Sequence, residues 1–228
     1  MDSCDVLIVG GGPAGSSCAW ALRDSGLNVV VMDRSAFPRD KVCAGWITPP
    51  VVETLRMDLA DYARGRTLQP ITCFRTGLVG GRAINNRFDR TVSYGIRRCE
   101  FDDYLLRRSG ARLILGDAVR EITRDREDWI INRRVRAPML VGAGGQACPV
   151  SRHLRGGEDI GVPLIRAQEA EFPIPESAED AVRGEAPELY FCPDLAGYGW
   201  ILRKGRYLNV GLGREDPRDL PGHVTRFC

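Results

Sequence analysis

The alternation of apolar and polar residues is most regular at the start of the chain. Residues Asp5–Val9 form a short apolar run that predicts a buried strand, and Leu27–Met32 form a second one. Between them, Pro13–Ser25 has the spacing of a helix, with proline in its first turn and Gly26 just past its end. This pattern predicts a βαβ unit, in which a right-handed crossover joins parallel strands and a ligand binds at their carboxyl ends.

Further along, the pattern becomes irregular and then returns to strands. Residues 34–95 carry scattered prolines and glycines and predict an irregular insertion, which a helix over Glu100–Arg108 follows. Short apolar segments then predict strands at Arg112–Leu115, Ala118–Ile122, Trp129–Ile131 and Met139–Val141. Beyond Pro163, alternating segments predict a mainly antiparallel sheet with strands at Leu164–Glu171, Glu188–Phe191, Tyr198–Leu202 and Tyr207–Gly211.

A glycine-rich segment joins the first strand to the first helix. Gly10-Gly11-Gly12-Pro13-Ala14-Gly15 satisfies G-x-G-x-x-G in the strand-to-helix context that the motif requires. Gly10 allows the tight turn, Gly12 lets the backbone approach a pyrophosphate, and Gly15 lets the helix pack close to the sheet. The helix N-terminus adds amide donors and a positive dipole. A structural turn is the alternative, but strand, helix and second strand all fall in register with a dinucleotide site.

An acidic residue completes this unit. Asp33 ends the second strand, 18 positions after Gly15, where it can accept hydrogen bonds from ribose hydroxyls. A carboxylate there disfavours a 2′-phosphate, because two negative groups would share one site. The unit therefore predicts FAD or NAD as its ligand, rather than NADP.

Three later segments carry a resemblance to a known family. They are Phe37-Pro38-Arg39-Asp40-Lys41-Val42-Cys43-Ala44-Gly45, Arg98-Cys99-Glu100-Phe101-Asp102-Asp103-Tyr104-Leu105, which is similar to R-x-x-F-D-x-x-L, and Ala143-Gly144-Gly145 with Pro149 and Arg152, which is similar to A-D-G…R. Together with the glycine motif and Asp33-Arg34, they resemble the geranylgeranyl reductase family of FAD-dependent oxidoreductases, within the group that includes aromatic hydroxylases and flavin-dependent halogenases. Tyr198-Gly199-Trp200 is similar to the start of that family's Y-x-W-x-F-P element.

The resemblance implies an α/β fold with two domains. A Rossmann-like FAD/NAD(P)-binding domain of three layers (ββα) is expected over residues 1–160, with the insertion at 34–95, and an antiparallel substrate-side lobe over 161–228. FAD is the expected cofactor. NAD(P)H is a candidate transient reductant, because Gly142-Ala143-Gly144-Gly145 lacks a clear following helix and only one dinucleotide motif is evident.

The resemblance also implies roles for single residues. The expected cofactor contacts beyond the glycine motif and Asp33 are Arg34, Arg39, Lys41, Arg98, the backbone of Val119, and Gly144. Solvated loop charges are the alternative for the basic residues. Tyr198 and Trp200 are expected on one face of a strand at the substrate side, because residues i and i+2 share a face. Two aromatic side chains that fill a core are the alternative.

Three features depart from the family pattern. Gly144 stands where the family has aspartate, and Leu202-Arg203 stand where it has F-P, which puts an isoprenoid-lined pocket in doubt. The chain also reaches Cys228 without the family's later G-D motif, so we expect a C-terminally shortened chain with an incomplete flavin site.

Cys43 is the one candidate catalytic side chain. Its loop resembles one that lies near the isoalloxazine in the reductases, and Lys41 is close enough in sequence to favour a thiolate. A small buried hydrophobic residue is the alternative. Catalytic triads, paired carboxylates and metal-ligand spacings do not rise above chance.

Three candidate functions are consistent with these observations. The leading one is an FAD-dependent oxidoreductase that acts on an apolar lipid, isoprenoid or polyene-like molecule; the others are a flavin-dependent monooxygenase or halogenase and a non-catalytic dinucleotide-binding module. A net charge of +2 without a basic tail disfavours nucleic acid as a partner. Eight scattered cysteines and the lack of an export signal fit a cytoplasmic protein that meets a membrane, if at all, from the surface.

Overall fold

The computed structural model describes residues 1–158, 165–175, 177, 182–216 and 218–227. The chain divides into two compact units, of which the first comprises Met1–Asp40 and Cys99–Ile160 and the second Lys41–Arg98 and Gly161–Cys228. The two units change at residue 160, and residues 41–98, most of which were predicted as an insertion within the first domain, group with the second unit. Among the described residues, none of the helices has both the length and the apolar character needed to span a bilayer.

The strands in chain order are β1 (Asp2–Ser3), β2 (Val6–Val9), β3 (Val29–Asp33), β4 (Trp46–Ile47), β5 (Leu68–Ile71), β6 (Cys73–Leu78), β7 (Ala83–Arg87), β8 (Ser93–Ile96), β9 (Arg112–Leu115), β10 (Ile122–Asp125), β11 (Asp128–Ile131), β12 (Val135–Ala137), β13 (Met139–Gly142), β14 (Arg166–Pro173), β15 (Glu188–Phe191), β16 (Gly197–Lys204) and β17 (Tyr207–Arg214). The helices are α1 (Pro13–Leu22), α2 (Pro49–Thr54), α3 (Leu59–Tyr62), α4 (Arg98–Arg108), α5 (Pro149–Leu154) and α6 (Leu220–Phe227).

The first unit is built on a parallel sheet with the strand order β13-β2-β3-β9. Successive side chains of β2 point to opposite faces, so that Leu7 and Val9 pack on one side and Val6 and Ile8 on the other. The first side packs against β11 and β12 of a second sheet, ordered β1-β12-β11-β10, and the other packs against α1 and α4. The unit therefore has the predicted three-layer ββα arrangement.

The second unit contains a six-stranded sheet ordered β14-β17-β16-β15-β6-β7 and a three-stranded sheet ordered β4-β8-β5. All strand pairs are antiparallel except β15 with β6, as the alternating pattern predicted for the C-terminal part. Trp200 and Leu202 of β16 pack with Ile71, and partly buried apolar residues that include Ala44 and Trp46 cover them. One face of the six-stranded sheet thus contacts the segment around β4.

Some predicted elements differ from the observed ones. The insertion over 34–95 contains strands β4 to β8, which are too short and too rich in proline and glycine to give a clear period. Residues 118–121 of the strand predicted at Ala118–Ile122 are not a strand, because the side chain of Asn132 bonds the Arg120 and Glu121 N–H groups and the Ala118 carbonyl. Pro149–Leu154 forms a short helix after Gly142–Gly145, where no clear helix was expected. Leu164 lies outside the described residues.

Candidate functional site

The glycine motif lies between β2 and α1, and two of its glycines admit no side chain. Gly10 has φ +114°, and a Cβ there would lie 2.4 Å from the Ala143 carbonyl oxygen. A Cβ on Gly15 would lie 1.8 Å from the carbonyl oxygen of Gly10, which explains the close approach of helix and loop. A Cβ on Gly12 would meet only Arg39 Nη2, at 3.5 Å, among the described residues. The loop is therefore tightly packed at its ends and open beside Gly12.

The N-terminus of α1 faces this opening without a capping side chain. Gly12 is the N-cap residue and supplies no side-chain hydrogen bond, and Pro13 occupies the first turn. The first amides of a helix have no partner within the helix, and they point along its axis with the positive end of the helix dipole. This combination favours an anion, such as a pyrophosphate, at the end of α1.

Asp33, at the end of β3, is fixed beside the glycine loop. Its Oδ2 accepts a hydrogen bond from the Gly11 N–H at 2.7 Å, and its Oδ1 accepts one from the Ser35 N–H at 2.8 Å. An ionised carboxylate has about four acceptor positions. These two bonds orient the group and leave acceptor capacity; its contact with ribose hydroxyls stays a prediction.

Arg39 places a positive charge beside Gly12. Its guanidinium lies over the Phe37 ring at 4.7 Å, and Nη2 is 3.3 Å from Oδ2 of Asp102, whose side chain is fully buried. Its Nη1 is buried and has no hydrogen-bond partner among the described residues. A buried donor without a partner costs about 1–3 kcal/mol. A phosphate oxygen beside Gly12 would lie near Nη2 of the same guanidinium, so the glycine loop, α1, Asp33 and Arg39 together fit the pyrophosphate and ribose of FAD.

Val119 and Gly144 lie in the first unit as well. Val119 lines a cavity of about 590 Å³ together with Ile122, Arg152 and His153, and its contact with adenine stays a prediction. A Cβ on Gly144 would lie 3.2 Å from the Cα of Cys148. The backbone after β13 is thus closely packed against Cys148 at the position where the family has aspartate.

The remaining basic residues are less clearly engaged. Arg34 is exposed. Lys41 is also exposed, and its ammonium group donates to the Val42 carbonyl at 3.2 Å. Arg98 begins α4 and is partly buried. Their cofactor contacts stay predictions.

Cys43 lies in the second unit, in the loop that precedes β4. It is partly buried, and its N–H donates to Glu169 Oε1 of β14 at 2.5 Å. In the next position, the Ala44 carbonyl accepts a hydrogen bond from Lys204 Nζ of β16 at 2.9 Å. This loop is thus tied to the six-stranded sheet by polar groups, and the catalytic role of Cys43 stays a prediction.

Tyr198 and Trp200 lie on the same face of β16, with ring centroids 6.0 Å apart. Their environments differ. Trp200 is 6% exposed and its indole N–H donates to Asn209 Oδ1 at 2.7 Å, whereas Tyr198 is 42% exposed and has Phe191 at 6.2 Å. Trp200 therefore fills the core, and Tyr198 is open to a ligand.

Sequence reasoning missed four residues that shape these sites. They are Ser35, Asp102, Glu169 and Lys204. Two of them had a signal in the sequence. Asp102 is the acid of the R-x-x-F-D segment, and Lys204 continues the i, i+2 series of Tyr198, Trp200 and Leu202, where a lysine on an apolar face indicates a buried partner. Ser35 and Glu169 had none, because the first acts through its backbone and the second lies among exposed polar residues.

Parts of the chain are similar to known proteins. The family described as FAD dependent oxidoreductase matches residues 5–77, which contain the glycine motif, Asp33 and the Cys43 loop. The menaquinone reductase of Mycobacterium tuberculosis is 32% identical over 239 residues, covering 93% of this chain and 55% of that protein. The geranylgeranyl diphosphate reductase of Rhodobacter capsulatus is 27% identical over 228 residues, with the same two coverages. Residues 5–77 are thus similar to the FAD-dependent oxidoreductase family, and most of the chain is similar to reductases.

The resemblance to the geranylgeranyl reductases is confirmed within that family, and FAD is the cofactor for which the domain is named. A solved structure, the geranylgeranyl bacteriochlorophyll reductase-like protein of Thermoplasma acidophilum, matches with a TM-score of 0.80 at 21% identity, covering 100% of this chain and 62% of that one. This likeness confirms the α/β fold class of the flavoprotein. The chain spans about half the length of the curated relatives that it matches.

Proposed function

We propose that this chain forms the FAD-binding and substrate-side part of an oxidoreductase that reduces an apolar isoprenoid molecule. The observation that carries the proposal is the glycine loop, which among the described residues is open beside Gly12, where Arg39 Nη2 lies 3.5 Å from the position that a Cβ would take. The names of the relatives support the substrate class, because menaquinone and geranylgeranyl diphosphate both carry isoprenoid chains. These names support a class of substrate, the apolar isoprenoid molecules, and no single substrate is proposed.

In this proposal the site residues of the first unit bind FAD. The amides of Gly12 and α1, with Arg39, hold the pyrophosphate, and Asp33 accepts from the adenosine ribose. Val119 lies beside adenine, at the wall of its cavity. Bound FAD supplies the exchange of an electron pair with the substrate. NAD(P)H is the proposed reductant, taken up transiently.

The second unit supplies the substrate side. Tyr198 and Phe191, 42% and 43% exposed, form an open aromatic surface on one face of the six-stranded sheet, which suits an apolar chain. Cys43 is proposed as the reactive side chain near the flavin. Peripheral contact with a membrane and a cytoplasmic location belong to the same proposal, since isoprenoid lipids reside in membranes and the described cysteines are free thiols.

The test is a titration of the purified chain with FAD, followed by anaerobic reduction and exposure to air. We expect FAD to bind through its adenosine and pyrophosphate, the part of the site that this chain contains, and the bound flavin to be reduced by NAD(P)H and reoxidised slowly by oxygen and faster by an isoprenoid quinone. Rapid reoxidation through a peroxyflavin would instead favour a monooxygenase or halogenase. A chain that binds no flavin would be a non-catalytic module, and the proposal would be wrong.

A further inference from the structure

Three consecutive residues before β4 are each held through their backbone. The Cys43 N–H donates to Glu169, the Ala44 carbonyl accepts from Lys204, and the Gly45 carbonyl accepts from the Ile96 N–H at 2.7 Å. Gly45 has φ +73°, and a Cβ there would lie 2.3 Å from the Ile96 carbonyl oxygen. The Cys43–Gly45 loop thus has one conformation set by the surrounding sheets.

Lys204 makes its contact from a fully buried position. Its side chain is 0% exposed, and its ammonium group forms an ion pair with Glu171 in addition to the hydrogen bond to Ala44. A Cβ on Gly95 would lie 3.0 Å from Lys204 Cγ, so the side chain runs past a glycine of β8 to reach the loop. Burying an ammonium group is strongly unfavourable unless partners surround it. The six-stranded sheet therefore holds this charge at a position from which Lys204 donates to the backbone of the Cys43–Gly45 loop.

Glu171 is held in turn by several partners. Arg97 Nε donates to it at 3.0 Å and Asn209 Nδ2 at 3.4 Å. Burial raises the pKa of the Glu171 carboxyl, but the hydrogen bonds and charges of Lys204 and Arg97 outweigh burial, so that its pKa lies below the ordinary value. The carboxylate consequently stays ionised beside the ammonium of Lys204 at neutral pH.

Glu169 lies two residues before Glu171 on β14, so both side chains lie on the same face of the six-stranded sheet, and Glu169 contacts the Cys43–Gly45 loop. It lies opposite Gly211 of β17, which in turn lies opposite Trp200. A Cβ on Gly211 would be 2.3 Å from Trp200 Cζ2 and 2.8 Å from Glu169 Cβ, so both side chains occupy the space that glycine leaves. The second oxygen of Glu169 is buried without a partner among the described residues. The carboxylate of Glu169 therefore contacts the loop through Oε1, which accepts from the Cys43 N–H.

We propose that Glu169 and Lys204 are positioning residues that clamp the Cys43–Gly45 loop, a carboxylate on the N–H of Cys43 and an ammonium on the carbonyl of Ala44. The clamp keeps the Cys43 thiol partly buried and in a fixed orientation. This inference rests on the proposed function for the importance of the loop, but the clamp itself is a property of the second unit and can be measured without flavin.

The test compares alkylation of two thiols in the same molecule by N-ethylmaleimide, an uncharged reagent, with peptides quantified by mass spectrometry. Cys18 of α1, also partly buried, is the internal reference. In Glu169→Ala and Lys204→Met we expect the rate of Cys43 relative to Cys18 to rise at least fivefold, because the released loop exposes the thiol. Glu169→Gln, which removes the charge but keeps an acceptor oxygen, should stay within twofold of the wild type.

Glu188→Ala is the matched control, since this glutamate lies on β15 of the same sheet and pairs with Arg75 instead of the loop; its ratio should not change. Ratios within twofold of the wild type for both Glu169→Ala and Lys204→Met would overturn the clamp. So would a Glu169→Gln ratio equal to that of Glu169→Ala, since charge and not position would then govern Cys43. If Lys204→Met does not fold, the two Glu169 variants decide. Failure of the wild-type chain to bind FAD would overturn the proposed function and leave these ratios intact.

Discussion

Gly12→Ala separates cofactor binding from folding in this site. Gly12 has φ −69° and ψ −176°, an extended conformation that alanine adopts without strain. The added methyl carbon would lie 3.5 Å from Arg39 Nη2, an ordinary contact distance at the end of a flexible side chain. We therefore expect the free energy of unfolding to change by less than about 1 kcal/mol.

The same methyl group has a large effect on the cofactor. It occupies the open side of the loop, where the backbone would approach the pyrophosphate, and moves a phosphate oxygen out of hydrogen-bond distance of the α1 amides. A hydrogen bond to a charged group contributes about 1.5–3 kcal/mol, and each 1.4 kcal/mol corresponds to roughly tenfold in the dissociation constant. The Kd for FAD should rise by roughly ten- to a hundredfold.

Calorimetric titration with FAD measures the binding, and thermal unfolding of the apoprotein measures the stability. Gly26→Ala is the control, because Gly26 has φ +77° past the end of α1 and a Cβ there would meet nothing within 4 Å. Backbone strain should lower its stability by about 1 kcal/mol and leave the Kd unchanged. A Gly12→Ala variant that binds FAD as tightly as the wild type would refute the assignment of this opening to the pyrophosphate.

Four further predictions address single side chains. Asp33→Ala should weaken FAD binding by about 1–3 kcal/mol in the same titration; an unchanged Kd would remove Asp33 from the site. Arg39→Met should raise the Kd for FAD at least about tenfold and Arg39→Lys less, because lysine keeps the charge but loses the planar fork; equal values for both variants would contradict this. The pKa of folded Glu171 lies below its ordinary value of 4.5, so its stabilising contribution is present above that pH and lost as the pH falls through the lowered pKa. Urea unfolding from about pH 6 to pH 3 should consequently show a shallower loss of stability in Glu171→Gln than in the wild type, and parallel curves would disprove it. Trp200→Phe should cost about 1–3 kcal/mol of stability with normal turnover per folded molecule, whereas Tyr198→Ala should raise KM at little cost in stability; the reverse pattern would make Trp200 the ligand-facing residue.

The sequence was most informative where local pattern and chemistry coincide. The βαβ unit could be predicted because β2 and β3 are continuous apolar runs, and the glycines between them have the spacing typical of a loop that leads into a dinucleotide-binding helix. The helix ends at Leu22 rather than Ser25, a difference within the fraying of a last turn.

Long-range polar contacts could not be predicted in the same way. Most of the strand expected over Ala118–Ile122 does not form, because the side chain of Asn132, ten residues beyond its end, bonds the backbone there. The pattern of apolar residues does not predict a hydrogen bond from a distant side chain. The partner of Lys204 illustrates the same limit. Its burial could be inferred from its place in β16, but the loop that it contacts lies 160 positions earlier in the chain.

Two of the segments that carry the family resemblance are distant in sequence, and an ion pair in the first unit joins them. Arg39 belongs to the F-P-R segment and Asp102 to the R-x-x-F-D segment of α4. Asp102 is fully buried, so it needs a cation, and Arg39 orients its guanidinium against this carboxylate with Nη2 beside Gly12. An arginine without Asp102 would lose that orientation, and Asp102 without the arginine would lose a buried counter-charge. The proposed pyrophosphate site thus depends on α4 as well as on the glycine loop, because Asp102 of α4 orients the positive charge of Arg39 beside Gly12.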